Sequence, residues 1–273
     1  MPDLVQLDLS MNGYLFGCTL LMALWFLVYA ALMITGRREE VPEFWWTSLA
    51  CSTLGITEPL FVPEYWDPPS VLKIDRWDLE SFLFCFAVGG IAGVLTELPR
   101  IKAFFVWLYF AIERVIRSAL RLIVVLTARR FEPRLLAHAP ASRLRIADDS
   151  AKGRLENMIL ITFFLALFGA TTHLGINVIY DAAFTCVGTA ALIAWRRPDL
   201  RWQIVGGAIT FMAIYTVVLV VMDVIYPDFY DYWNHQELSG VWLMGAPIEE
   251  FVFAFTFGLF WAPMYEVWKE VRT

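Results

Sequence analysis

The carboxyl groups that lie within or at the edge of long apolar segments include those of Glu58, Glu80, Asp223, Glu249 and Glu250. An ionised acid in hydrocarbon is costly unless it is paired, hydrated or protonated, so such residues are functional candidates by default. Carboxyl groups clustered in low dielectric cannot all ionise, because repulsion and desolvation keep at least one of them protonated. A protonated acid beside an ionised base is the arrangement that general acid-base chemistry requires.

The five acids differ in how well a structural role explains them. Glu249 and Glu250 follow Pro247, and their segment contains no Lys or Arg before Lys269, which favours a catalytic role. Successive helical positions point about 100° apart, so one of the two could face the bundle interior while the other bonds a neighbouring helix. Glu80 begins its segment, where it could simply complement the helix dipole.

Phenylalanines follow both acidic segments: Phe82 after Glu80, and Phe251, Phe253 and Phe255 after Glu250. Aromatic faces can line a channel for a polyene and stabilise a carbocation. Ordinary packing explains a Phe-rich helix equally well. The four rings are therefore candidate substrate-binding residues, and ordinary helix packing is the alternative explanation.

The composition indicates a membrane protein that carries these residues on spanning helices. The 273 residues are 59% hydrophobic and 18% charged, with a mean hydropathy of +0.59. The net charge of −6 excludes nucleic acid as an obvious partner, since no large basic face is available for a phosphate backbone. A lipid-soluble substrate is expected.

An all-α fold of seven transmembrane helices is predicted, because a spanning helix needs about 20 mostly apolar residues. The predicted spans are 14–35, 44–62, 79–98, 158–174, 176–195, 202–225 and 241–264. An eighth apolar segment, 103–126, carries Arg114, Arg117 and Arg121 on one helix face. This pattern is typical of a helix that lies in the membrane interface.

Loop charges predict the orientation through the positive-inside rule. Arg37 with Arg38, and Arg196 with Arg197, follow the first and fifth spans, whereas the loops 63–78 and 227–240 are rich in acids. The acidic loops are then outside, and the basic segment 128–154 is cytoplasmic. The N-terminus is expected outside and the C-terminus in the cytoplasm.

The two ends of the chain predict a pair of parallel three-helix repeats. Aligning DLESFLF with PIEEFVF pairs Glu80 with Glu249 and Ser81 with Glu250, each 169 residues apart. We assign 1–99 and 176–273 to the repeats, 100–157 to the interfacial helix and its loop, and 158–175 to a linker span. Sites in such folds lie between the halves.

Metal and retinal chemistry find no support in the sequence. The four Cys lie singly in apolar segments and the three His sit in polar segments or at span ends, so no metal site is expected. Lys73, Lys102, Lys152 and Lys269 fall in loops or at span ends, which excludes a retinal Schiff base in mid-span.

The residues PIEEFVFAF at 247–255, the membrane acid Asp223, Trp242 ahead of the last span and the two repeats resemble the membrane-embedded lycopene cyclase domain family. This family comprises the heterodimeric bacterial and archaeal type and its fused fungal counterpart. The first half departs from the motif, because DLES at 78–81 lacks both the proline and the second acid.

The resemblance implies an enzyme, an isomerase of the bacterial or archaeal cytoplasmic membrane that closes an ionone-type ring on an acyclic carotenoid such as lycopene. Glu250 or Glu249 would protonate a terminal alkene, with Asp223 or Glu58 as base or as the group that raises the pKa of the acid. Trp242 would lie beside the substrate. No redox cofactor is needed. The expected partners are the polyene and membrane lipids, and the sequence leaves a homo-oligomer open.

Three alternatives stay open at this stage. A carotenoid hydratase would use the same acids to add water to the cation. A noncatalytic carotenoid-binding or partner subunit would explain the lost motif in the first repeat. A proton-coupled transporter is less well supported, because the inner halves of the spans offer few polar groups for a path.

The orientation can be tested with single cysteines in a cysteine-free background. Cysteines at Ser70 and Ser239 should react with an impermeant maleimide from outside, whereas those at Ser142 and Ser150 should not. Outside labelling at Ser142 would restore an eighth span and reverse the second half.

Overall fold

The computed structural model describes residues 5–7, 12–95, 114 and 150–269, and the chain there is mostly helical. The α-helices of these ranges are α1 (Gly13–Ile34), α2 (Val41–Ser52), α3 (Leu79–Val94), α4 (Ser150–His173), α5 (Val178–Arg196), α6 (Arg201–Ile225), α7 (Ile248–Trp261) and α8 (Met264–Lys269). Side-chain caps begin several of them, such as Asn12 at α1, Asp78 at α3 and Asn177 at α5.

Short 3-10 helices and two small sheets connect the α-helices. The 3-10 helices are Arg38–Glu40, Thr53–Leu60, Pro198–Leu200 and Pro227–Tyr232. One antiparallel sheet has the order β1 (Val5–Leu7), β2 (Leu72–Ile74), β3 (Trp77–Asp78), and the other pairs β4 (Trp242–Leu243) with β5 (Ala246–Pro247). The hairpins β2–β3 and β4–β5 directly precede α3 and α7, and we call this side of the bundle the hairpin end.

Among the described residues, four helical segments are long and apolar enough to cross a membrane: Gly13–Ile34, Val178–Arg196, Pro198–Ile225 and Ile248–Lys269. Leu79–Val94 and Met158–His173 are shorter apolar helices. The predicted second span is α2 continued by the 3-10 helix Thr53–Leu60, which contains Pro59. The predicted interfacial helix at 103–126 and nearly all of the basic loop after it lie outside the described residues.

The start of the seventh predicted span was placed wrongly. Residues 242–247 form the β4–β5 hairpin, whose turn is made by Met244 at φ 52° and Gly245 at φ 82°. Helix α7 begins only at Ile248, so Glu249 and Glu250 lie in its first turn and not two turns inside it. An apolar run by itself does not distinguish a short hairpin from the start of a helix. Within this run, a glycine such as Gly245 is the main residue type that signals a turn.

The helix pairs α2–α3 and α6–α7 approach closely at small residues. A Cβ atom added to Gly89 would lie 2.7 Å from the carbonyl oxygen of Thr47, and one added to Gly258 would lie 2.8 Å from that of Gly207. These two glycines are 169 residues apart, the spacing that also separates the positive-φ turn residues Asp75 and Met244. Both helix pairs therefore share local features at matched positions.

The two halves of the chain interlock at the hairpin end and at mid-helix. Trp66 and Trp233 form an antiparallel β-bridge, flanked by Asn234 N donating to Tyr65 O at 2.8 Å. Deeper in the bundle, the indole of Trp261 on α7 donates to the carbonyl of Gly89 on α3 at 3.1 Å. Backbone groups of one half are thus satisfied by the other.

The structure also refines the labelling positions. Ser70 is only 8% exposed, so a cysteine at exposed Arg76 in the same loop is the better outside reporter. Ser239 is exposed and serves as proposed.

We expect Gly89→Ala and Gly258→Ala each to lower the free energy of unfolding by about 1–3 kcal/mol, the usual cost of overpacking. The added methyl group would meet core atoms of the partner helix. Thermal unfolding in detergent measures the effect. Gly169→Ala on α4 is the matched control, because its Cβ would meet nothing within 4 Å; equal loss in all three variants would contradict the packing argument.

Candidate active site

A cavity of about 360 Å³ lies between the two halves and is walled mainly by apolar and aromatic side chains. Helices α1 and α3 and the segment 51–66 form one side, and helices α4 to α7 form the other. Two carboxyl groups, Glu58 and Glu250, belong to its wall, and no basic side chain does within the described part of the chain. The cavity is an apolar compartment with acids near the hairpin end.

Glu250 is held by three hydrogen-bond donors. Its Oε1 accepts from the Tyr65 hydroxyl at 2.9 Å and from the Trp233 indole at 3.0 Å, and its Oε2 accepts from the Tyr215 hydroxyl at 3.0 Å. All four side chains are buried. Burial is the main cause that raises the pKa of Tyr65, and the charge of the nearby Glu250 carboxylate is the second. The phenol therefore stays protonated and remains a hydrogen-bond donor.

Glu58 reaches the same cavity from the first half but is bonded differently. It lies in the 3-10 helix Thr53–Leu60, is 6% exposed, and its Oε1 has no hydrogen-bond partner among the described residues. Ser81 and Trp66 are polar neighbours of its carboxyl group. Ser81 also shares a 2.8 Å hydrogen bond with Tyr14.

The structure places the other three acids away from the cavity wall. Glu249 is fully buried, and its Oε1 accepts from the Tyr180 hydroxyl and the Ser239 backbone N–H, both at 2.7 Å. The Oε1 of Glu80 accepts from Val71 N at 2.5 Å. Asp223 is half-buried against the β4–β5 turn, within 2.8 Å of the position that a Cβ on Gly245 would occupy.

Of the predicted substrate-binding residues, Phe253 lies in the cavity wall. It shares one face of α7 with Glu250, Phe257 and Phe260, at the spacing of a helical stripe. Phe82, Phe251 and Phe255 are not part of the wall. Phe82 packs against Gly55, and Trp242 is 43% exposed on the hairpin.

Sequence reasoning missed the donors around Glu250 and one further acid. Tyr65, Tyr215 and Trp233 come from separate segments, so no local pattern links them to Glu250. Asp181 on α5 is completely buried and accepts from the hydroxyls of Thr171 and Thr172. It lay inside a predicted span, which was the signal that could have revealed it.

The cysteines have no partners that suggest a metal. All four are free thiols, and Cys18, Cys51, Cys85 and Cys186 all line the cavity. Within the described residues, no cluster of His, Cys, Asp or Glu is arranged to hold a metal ion.

Long apolar helices and a buried apolar cavity that contains carboxyl groups define an integral membrane protein with an acid-lined hydrophobic site. Residues 176–268, which include α5 to α7, match the family model described as lycopene cyclase. This part of the chain is thus similar to lycopene cyclase domains. No curated protein and no solved structure matches the chain.

We expect Tyr65→Phe and Tyr215→Phe each to destabilise the protein by about 1–3 kcal/mol, because each removes a donor from a buried carboxyl group. Thermal unfolding in detergent would report this loss. Tyr29→Phe supplies the matched control, since the Tyr29 hydroxyl has no hydrogen bond within the described residues. Unfolding midpoints that are the same for all three variants would show that the donors do not stabilise Glu250.

Proposed function

We propose that the protein is a membrane carotenoid cyclase that closes a ring at the end of an acyclic polyene such as lycopene. The observation that carries the proposal is the pair of carboxyl groups, Glu58 and Glu250, on the wall of one apolar cavity. The lycopene cyclase match to the half that contains Glu250 supports the choice of substrate.

The two carboxyl groups differ in their hydrogen bonding, which supports different roles for them. Three donors point at Glu250, and donors favour the ionised form of an acid. Glu58 has a buried oxygen without a partner and no basic side chain beside it on the wall, so its neutral form is the cheaper one. Glu58 is then the proton donor and Glu250 the base, the reverse of the roles that the family resemblance implied.

The reaction balances with these two groups and water. The O–H bond of Glu58 breaks as the π electrons of the terminal alkene form a new C–H bond, which leaves a tertiary cation. The next double bond attacks this cation and closes a six-membered ring. Glu250 then removes a proton, and the C–H electron pair becomes the ring double bond. Glu250 then gives its proton to water, and Glu58 takes a proton from water before the next turnover.

The aromatic wall suits the intermediate. Phe253 and Phe257 on α7 and Phe84 on α3 face the cavity near the acids, and ring faces stabilise a cation. An ionised Glu250 would add the attraction of opposite charges in a low dielectric. Both effects act on the cation more strongly than on the neutral polyene, so they lower the barrier.

The proposal includes the full architecture and orientation. Seven membrane helices would form two parallel repeats, 1–99 and 176–273, around the cavity, with the N-terminus outside and the C-terminus in the cytoplasm. The matched close contacts at Gly89 and Gly258, and the matched turns at Asp75 and Met244, support the repeat. Glu58 and Glu250 would then lie in the outer half of the membrane.

The test uses cells that accumulate lycopene, followed by membranes assayed in D₂O. The wild-type protein should give cyclised product that carries solvent deuterium. Glu58→Gln should leave lycopene unchanged and unlabelled, because no cation forms. Glu250→Gln should lose the normal product by at least about a hundredfold, the usual scale of general acid-base catalysis, and any residual product should be labelled but hydroxylated or rearranged.

Glu39→Gln is the control, since Glu39 is exposed on the 3-10 helix Arg38–Glu40. If the folded wild-type protein leaves lycopene unchanged and unlabelled, the cyclase proposal is wrong and a carotenoid-binding subunit replaces it. Hydrated product from the wild-type protein would replace the cyclase with a hydratase. Labelled product from Glu58→Gln, with none from Glu250→Gln, would reverse the two roles.

A further inference from the structure

The cavity wall is closed on most sides but contains two exposed leucines. Leu60 is 44% exposed and Leu165 is 62% exposed, whereas every other residue of the wall is buried or half-buried. Helices of a membrane protein turn such side chains toward lipid, because apolar residues meet no water there. Placed in a bilayer, the wall would meet lipid at these two residues.

The two leucines belong to different structural units. Leu60 ends the 3-10 helix Thr53–Leu60, and Leu165 lies on α4. The wall residues beside them, Thr57 and Phe168, are half-buried. No hydrogen bond within the described ranges joins α4 to the segment 53–61.

Helix α4 is anchored instead to the second half of the chain. Asp181 on α5 accepts from Thr171 and Thr172 of α4, and Phe164 stacks on Phe260 of α7 at 5.1 Å. Leu165 is thus carried by a helix attached to α5 and α7, whereas Leu60 belongs to the first half of the chain.

We propose that the cavity wall at Leu60 and Leu165 is a lateral portal through which an apolar, rod-like polyene enters the cavity end first from the bilayer. The nature of the ligand rests on the proposed function. Glu58 is separated from Leu60 by Pro59 alone, so the carboxyl group lies just inside the portal. An incoming terminal alkene reaches Glu58 without passing through water.

The portal is tested by following polyene uptake separately from turnover. Lycopene in lipid is achiral, and it gains circular dichroism in its visible band only when it lies in an asymmetric protein cavity. Protein in nanodiscs is mixed with lycopene-loaded vesicles, and the rise of this signal is timed. In Leu60→Trp/Leu165→Trp the rate should fall at least about tenfold, with the final amplitude unchanged.

Leu27→Trp is the control, because Leu27 is 67% exposed on α1 but does not line the cavity. A wild-type rate in the double tryptophan variant, or equal slowing in the control, would overturn the portal. If the double variant never develops the signal, Leu60→Ala/Leu165→Ala decides: a faster rise than wild type supports the portal, and an unchanged rise contradicts it.

The same experiment separates the portal from the reaction. If uptake depends on both leucines but the wild-type protein forms no product, the portal is supported and the cyclase proposal is contradicted. If the protein forms the normal product but substitution of both leucines does not change the uptake rate, the portal is contradicted and the cyclase proposal is supported.

Discussion

The burial of the Glu250 carboxyl group is the constraint on which the rest of the structure depends. A carboxyl group in an apolar bundle is tolerated only if donors replace the water it has lost. The three donors come from both halves: Tyr65 from the first, Tyr215 and Trp233 from the second. The site therefore exists only when the halves are docked, and the Trp66–Trp233 bridge aligns two of these donors.

The helices pack densely within each half of the chain, and a cavity remains where the two halves meet. Small residues bring α2 against α3 and α6 against α7, as at Gly89 and Gly258, which makes two dense helix pairs. Large rings occupy the faces that the pairs turn toward each other, as with Phe84 and Phe257. A cavity remains between these faces, and it is apolar because apolar and aromatic side chains line most of it.

The halves have similar local structure, but the site they enclose is asymmetric. The residue that matches Glu250 in the first half is Ser81, which bonds to Tyr14. The second carboxyl group of the cavity comes instead from Glu58, on the irregular 3-10 helix that ends the predicted second span. The cavity therefore contains one acid with three hydrogen-bond donors, Glu250, and one acid with an unpartnered oxygen, Glu58. In the proposed reaction, this difference gives the two carboxyl groups opposite roles.

The sequence by itself determined the membrane class, the helical segments and the five unusual acids, because hydrophobic length and buried charge are local properties. It also pointed to the family through PIEEFVFAF. Only the tertiary structure decided which acids meet. Glu249 and Glu250 are neighbours in sequence, yet the turn of a helix sends one to Ser239 and the other into the cavity. Glu58 and Tyr65 reach Glu250's cavity from nearly 200 residues away, since helix docking is set by side-chain contacts that no local pattern records.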